Sequence, residues 1–256
     1  MAMGLSNRIV TRHVCESMSM ILCRTDPAVL RKVLPDPFEA NRPGEVLFCF
    51  VDAYFNDTTI SARTDFVYPY FNSMHQVTLV VPCSYGGTPG TVMGRVWQDR
   101  DWSYVRGPVL GYPTELAEVH VTRFPGAMAK FYQPGIGKKV KGVLRQGGIE
   151  LASAWLELEE ECPGFPWPEY LTVFAHRQVE DLLDPHTPLV DQVLYEQHDQ
   201  EEQGTIWRGT PHLKLGGDMA LWPLELVDGF YTSVSFGTAG SVVLKDFDKA
   251  AHKVIQ

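Results

Sequence analysis

Gly111-Tyr112-Pro113-Thr114-Glu115-Leu116-Ala117 is the stretch on which the reading of this 256-residue chain turns. A second informative stretch lies upstream, Cys23-Arg24-Thr25-Asp26-Pro27-Ala28-Val29-Leu30-Arg31-Lys32-Val33-Leu34-Pro35-Asp36-Pro37. Within it, Asp26 is placed to cap a short helix with Pro27 at its first position; Val29, Leu30, Val33 and Leu34 share one face, and Pro35 stops it. Around these stretches the pattern is one of short apolar runs broken by Gly, Pro and Asn. It predicts strands near residues 46–55, 75–83, 91–97, 128–132, 140–144, 170–176, 190–195, 205–207 and 233–243. Residues 149–158 fit a helix or a strand, Gly86-Gly87-Thr88-Pro89-Gly90 reads as a turn, and Pro163, Pro166 and Pro168 mark a loop. Periodicity alone therefore gives a β-rich barrel or sandwich with a few helices, and no fixed-period repeat.

The two quoted stretches resemble segments of the acetoacetate decarboxylase family. There the first stretch has the form Gly/Ala-Tyr/Phe-Pro-Lys-Lys-Leu, so Thr114 and Glu115 stand where the family has two lysines. The resemblance continues through Pro223-Leu224-Glu225-Leu226-Val227 and Phe236-Gly237-Thr238-Ala239-Gly240-Ser241-Val242. It implies a mainly β fold: one domain over 1–256, a closed cone-like β-barrel with a few short peripheral helices, an apolar interior holding the active site, and a homo-oligomer.

The missing lysines govern the functional expectation. In the family, the first lysine forms a Schiff base with a ketone and the second lowers its pKa, acetoacetate decarboxylase being the worked instance of a lysine activated by a neighbouring cation. Neither Thr114 nor Glu115 makes an imine. Ungapped alignment to the family places His75 at a catalytic glutamate and Glu16 at an arginine that binds the substrate carboxylate. On this reading the site trades cations for carboxylates, and a like charge at ~4 Å costs about 4 kcal/mol at an effective dielectric near 20. A neutral carbonyl substrate follows, with Glu115 as desolvated acid/base, His75 relaying the proton and Thr114 donating a hydrogen bond. Arg106 and Tyr112 are the expected substrate-binding residues.

Each candidate has a structural alternative. Glu115 also suits a polar strand end, His75 a satisfied structural position, Glu16 a surface ion pair, and Arg106 a partner for Asp101 or Glu118. Lys130, Lys138, Lys139 and Lys141 follow the signature, and clustered lysines ordinarily form a solvated face. The expected function is isomerisation, dehydration or cyclisation without a Schiff base, for which the aromatic content would allow a ligand as large as a polyketide or terpenoid. Non-imine decarboxylation of a β-keto acid and a non-catalytic binding barrel are the alternatives.

Composition narrows the classes further. The chain is 45% hydrophobic and 11% aromatic with a net charge of −9, enough for a core and without the clustered cations of a nucleic-acid binder. Its densest acidic run is Glu157, Glu159, Glu160 and Glu161. No segment has the ~18 apolar residues of a membrane span, and no secretory leader is evident, so a cytoplasmic protein with a small-molecule substrate is expected. The five cysteines, with no Cys-x-x-Cys, are read as reduced. The histidines show no metal-ligand spacing and the glycine-rich runs no nucleotide-binding pattern, so neither a metal nor a cofactor is expected.

Overall fold

The computed structural model describes residues 12–56, 73–124, 133–167, 169–180, 188–220 and 222–247. Strands β1 (Arg12–Arg24), β2 (Glu39–Ala40), β3 (Glu45–Asn56), β4 (Ser73–Tyr85) and β5 (Thr88–Gln98) come first, with helix α1 (Pro27–Arg31) after β1. Helix α2 (Asp101–Leu110) precedes β6 (Thr114–Leu116), β7 (Glu118–Val121), β8 (Lys139–Gln146) and β9 (Ile149–Cys162). The remaining strands are β10 (Val173–Val179), β11 (Val190–Gln203), β12 (Ile206–Leu215) and β13 (Glu225–Asp246). The expected strand at 128–132 lies outside the described residues.

All thirteen strands join one mixed sheet in the order β1-β3-β4-β5-β10-β11-β13-β12-β9-β8-β7, with β2 beside β4 and β6 beside β5. Among the described residues, only β5–β10 and β5–β6 pair in parallel. β13 is long enough to serve several neighbours: Glu225 to Gly237 run against β1, Tyr231 faces Trp207 of β12, and its distal half faces β11.

The central strands are apolar on both faces, which is why they read as unbroken hydrophobic runs. In β3, Val46, Phe48 and Phe50 pack with Val77, Leu79 and Val81 of β4 and with Val140, Leu144, Leu156 and Leu158 of β8 and β9. Leu47, Cys49, Val51 and Ala53 point the other way and join Met18, Met20, Leu22 and Met74. The first face is filled tightly, since a Cβ on Gly142 of β8 would overlap the Phe50 ring. Each fully buried phenylalanine there contributes about 1.5–3 kcal/mol, and truncating Phe50 to alanine would cost about 3–5 kcal/mol.

Residues 149–158 are strand, with Ala152, Ala154, Leu156 and Leu158 buried at period two. The Asp26 cap forms as expected, its carboxylate accepting from the Ala28 amide at 2.8 Å, and Leu30 and Leu34 are buried beneath the short α1. Gly86 and Gly87, at φ +56° and +80°, make the two-residue turn joining β4 to β5. α2 and β1 had no counterpart among the expected elements. Gly107-Pro108 inside α2 mimics a loop signal. The first half of β1 is mixed in polarity, and a register shift falls between Cys15 and Ser17. No helix among the described residues is long and apolar enough to cross a membrane.

Candidate functional site

The second apolar face of the sheet surrounds a cavity of about 170 Å3. Its wall takes side chains from β1 (Cys15, Met18), β3 (Leu47, Cys49, Val51), β4 (Met74, Gln76, Thr78), β5 (Met93, Gln98), β11 (Glu196) and β13 (Val234, Phe236), with α2 and Tyr112 beside them. Alternation puts these residues inside: Met74, Gln76, Thr78 and Val80 of β4 line the cavity, while Val77, Leu79 and Val81 face the opposite core. The lining is mostly apolar, so its few polar groups act in a low-dielectric setting.

Helix α2 supplies the cation. Arg106 lines the cavity and makes no hydrogen bond among the described residues. Burial pushes its guanidinium pKa down, against the pull of the nearby Glu196 carboxylate, and arginine remains charged under such shifts. Gly111 then ends the helix in the left-handed conformation at φ +84°, packing on the β10 backbone, and the chain turns so that Tyr112 enters the cavity wall. The Tyr112 hydroxyl donates to Glu196 Oε2 at 2.6 Å across 84 residues of sequence. Burial, and then the Glu196 charge, raise the Tyr112 pKa well above its ordinary value, which keeps it a hydrogen-bond donor.

A second polar group comes from β4 and β5. Gln98 Nε2 donates to Gln76 Oε1 at 2.7 Å, and Gln76 Nε2 donates to Thr78 Oγ1 at 2.5 Å. The two thiols on the wall are not nucleophiles: burial, followed by Asp52, pushes Cys15 up to about 12, and burial also raises Cys49. Among the described residues no cluster of three His, Cys, Asp or Glu side chains is placed to hold a metal ion.

The sequence matches the acetoacetate decarboxylase (ADC) family model over residues 6–244. The chain belongs to the acetoacetate decarboxylase family. Comparison with curated proteins finds no match. Among solved structures, an acetoacetate decarboxylase-like enzyme from Sphingomonas wittichii RW1 superposes with a TM-score of 0.85 at 21% identity, covering 96% of this chain and 97% of the other. The enduracididine biosynthesis enzyme MppR, complexed with pyruvate, gives 0.78 at 20% identity, covering 93% and 91%. The acetoacetate decarboxylase of Legionella pneumophila subsp. pneumophila str. Philadelphia 1 gives 0.72 at 18%, covering 93% and 88%. At these identities the likeness establishes an acetoacetate decarboxylase-type fold.

Of the residues singled out in the sequence, Arg106 and Tyr112 line the cavity of this family member; Thr114, Glu115 and His75 are not part of its wall. Thr114 is buried beneath α2, where its hydroxyl donates to the Tyr104 carbonyl at 3.2 Å and a Cβ on Gly107 would overlap it. Glu115 is on the other side of the signature strand. It accepts from Arg95 Nη2 and from Gln146 Nε2, each at 3.0 Å, while Arg95 also binds Asp218 at 2.6 Å and lies over the Trp97 ring. Glu115 thus ties β5, β6 and β8 together.

His75 shows how one residue changes the face. It precedes Gln76 on β4, so when Gln76 lines the cavity, His75 points away from it. Its Nδ1 is 2.7 Å from Asp99 Oδ2 and its Nε2 is 2.9 Å from Arg123 Nη2. Arginine has no acceptor, so Nε2 accepts and Nδ1 carries the hydrogen. Arg123 also donates to Asp52 at 2.7 Å. Glu16 belongs to β1 at its register shift, and its side chain lies outside the described residues. Lys138, Lys139 and Lys141 are exposed, Lys130 lies outside the described residues, and no lysine lines the cavity among the described residues.

Glu196, Gln76 and Gln98 are the cavity residues that sequence reasoning missed. Glu196 follows directly on the expected strand 190–195, and no short-range signal pairs it with Tyr112. Gln76 has a signal: it neighbours His75, one step out of phase on the same strand.

Proposed function

We propose that this acetoacetate decarboxylase family member works without an imine, moving a proton on a small, mostly apolar carbonyl compound bound in the cavity. The observation that carries this reading is the Tyr112–Glu196 couple set beside Arg106, a cation that no described residue hydrogen-bonds, on an apolar wall. Glu196 takes the α-proton. The electron pair of the broken C–H bond moves onto the carbonyl oxygen, where Arg106 stabilises the enolate charge. The Tyr112 hydroxyl orients the carboxylate. Where the compound carries a double bond conjugated with the enolate, the electron pair shifts along it and return of the proton to the far carbon gives an isomer. Alternatively, the enolate expels a β-hydroxyl group, which takes the proton from Glu196 and leaves as water.

The supports are geometric. Pairing of β13 with β1 returns the path of strands to its start, consistent with a cone-like barrel around the cavity. The 170 Å3 volume is close to that of a cavity of about 150 Å3 that admits benzene, so we infer a substrate of that scale and not a polyketide. Thr114, Glu115 and His75 are assigned to holding the wall, and Glu16, from a strand whose Cys15 and Met18 line the cavity, is kept as a second candidate carboxylate.

In deuterium oxide, proton NMR is expected to show exchange of the α-hydrogens of 2-butanone and 4-hydroxy-2-butanone. Borohydride reduction with the same ketones should leave the intact mass unchanged. A reduced adduct on a lysine, or no exchange on either ketone, contradicts the proposal. Arg106 also favours a second reading, since an open guanidinium suits a carboxylate and MppR has been solved with pyruvate. Release of labelled carbon dioxide from carboxyl-labelled acetoacetate, without α-hydrogen exchange, would select non-imine decarboxylation instead.

A further inference from the structure

The wall of the cavity is rich in sulfur: Cys15, Met18, Cys49, Met74 and Met93 all line it. Of the five described methionines, Met20 packs in the same cluster as Met18 and Met74, and Met219 alone belongs to the opposite core. The other face of β3 and β4 uses Val46, Phe48, Phe50, Val77, Leu79 and Val81 instead. Register shows where the sulfur lies. Cys15 pairs with Ala53 and Ala53 with Met74, while Met18 pairs with Val51 and Val51 with Gln76, so Cys15, Met18 and Met74 share one end of the wall. Glu196 follows Tyr195, which pairs with Phe174; Phe174 pairs with Val92 and Val92 with Val81, seven residues along β4 from Met74. Sulfur and charge therefore occupy different ends.

Branched aliphatic side chains would keep water out equally well, so apolarity does not account for the thioethers. A polarizable thioether gains over them when it meets the edge of an aromatic ring. Met74 is also held in place, its Sδ accepting from the Ser103 hydroxyl at 2.9 Å. We propose that the apolar end of the substrate is a single aromatic ring seated against Met18 and Met74, and that the substrate is accordingly a small ketone bearing one aromatic ring. The inference rests on the proposed function for the carbonyl end alone; the ring is read from the wall. A cavity of about 170 Å3 takes one ring, since about 150 Å3 admits benzene. Arg106 and the Tyr112–Glu196 couple then meet the carbonyl oxygen and the α-carbon. Methionine also serves walls that adapt to many shapes. Such a wall would grip a saturated ring as firmly as an aromatic one, and the test reads that difference.

Binding of phenylacetone and cyclohexylacetone to the full chain is measured by ligand-observed NMR titration. A methylene insulates the carbonyl from the ring in both, and transfer from water favours the saturated ring at least as much, having no fewer apolar atoms. Each sulfur–ring contact is worth roughly two- to tenfold in binding, so phenylacetone is expected to bind about tenfold more tightly. The preference should fall to about threefold in Met18→Leu and to about twofold or less in Met18→Leu with Met74→Leu, changes that keep side-chain volume. Equal or tighter binding of cyclohexylacetone, or binding of neither ketone at millimolar concentrations, overturns the proposal. So does an unchanged preference in the folded double variant, which would assign it to ring shape. If the double variant does not fold, Met18→Leu decides by the same criterion. Glu196→Gln separates this inference from the proposed function: it should lose α-hydrogen exchange while keeping the preference for the aromatic ring. Exchange on 2-butanone with no such preference would sink the inference and leave the function standing.

Discussion

The two faces of β4 carry polar clusters built from similar groups and finished differently. On one face His75 has both ring nitrogens engaged, by Asp99 and Arg123, and Arg123 in turn neutralises Asp52, which is 1% exposed. On the other face the Tyr112–Glu196 couple sits near Arg106, which no described residue hydrogen-bonds. Residue type does not separate them, since each face holds acids, arginine and a proton carrier. What separates them is the cation: Arg123 is engaged by His75 and Asp52, whereas Arg106 is hydrogen-bonded by no described residue and is left to something else. Polar groups complete among themselves hold a fold together, and those left open inside an apolar wall are where a ligand is bound.

Breaking each cluster should therefore fail in different ways. Glu196→Gln is expected to lower α-hydrogen exchange by about 10²–10⁴-fold, a far larger effect than its shift of the urea midpoint, because it removes the base and keeps the side-chain shape. Arg123→Met should do the reverse. It leaves the Asp52 charge buried beside His75 alone, and urea unfolding should show a loss of about 3 kcal/mol, the low end of the range for a broken buried pair because Arg123 is half exposed.

Asp99→Asn tests the same face by pH. Burial alone would raise the Asp99 pKa, but hydrogen bonds from the His75 ring and backbone outweigh it, and the net shift is downward. A depressed carboxylate contributes stability that is complete above its unfolded value near ~3.9 and is lost as pH falls through the folded one. The stability gap between wild type and Asp99→Asn should be widest at neutral pH and close in acid. A gap independent of pH would remove the charged hydrogen bonds of Asp99 from the account. The smallest effect belongs to the cavity thiols: with Cys15 held near about 12, iodoacetamide at neutral pH should modify neither Cys15 nor Cys49 until the protein is unfolded.

Most of the strands were legible because both faces of β3 and β4 are apolar, and a run of such residues announces itself. The Asp26-Pro27 cap and the Gly86-Gly87 turn were legible for the same local reason, each being a backbone conformation with its own residue chemistry. α2 was hidden because Gly107, required for contact with Thr114, sits before Pro108, and the pair looks like a loop. The site was legible where the family signature enters the cavity, at Tyr112, and at Arg106 six residues earlier. It was illegible at Glu196 and Gln98, which reach the cavity only through long-range pairing. His75 shows the remaining difficulty. A strand alternates faces at every residue, so an ungapped alignment that slips by one position exchanges the cavity for the opposite side.

The measurement that bears most directly on the central claim compares α-hydrogen exchange of 4-hydroxy-2-butanone in deuterium oxide for wild type, Glu196→Gln and Glu115→Gln. Proton transfer assigned to the cavity predicts loss in Glu196→Gln and a rate within about twofold of wild type in Glu115→Gln, which touches only the Arg95 and Gln146 contacts outside the cavity wall. Loss of exchange in a folded Glu115→Gln protein, with Glu196→Gln still active, would contradict the assignment and return the chemistry to the signature strand.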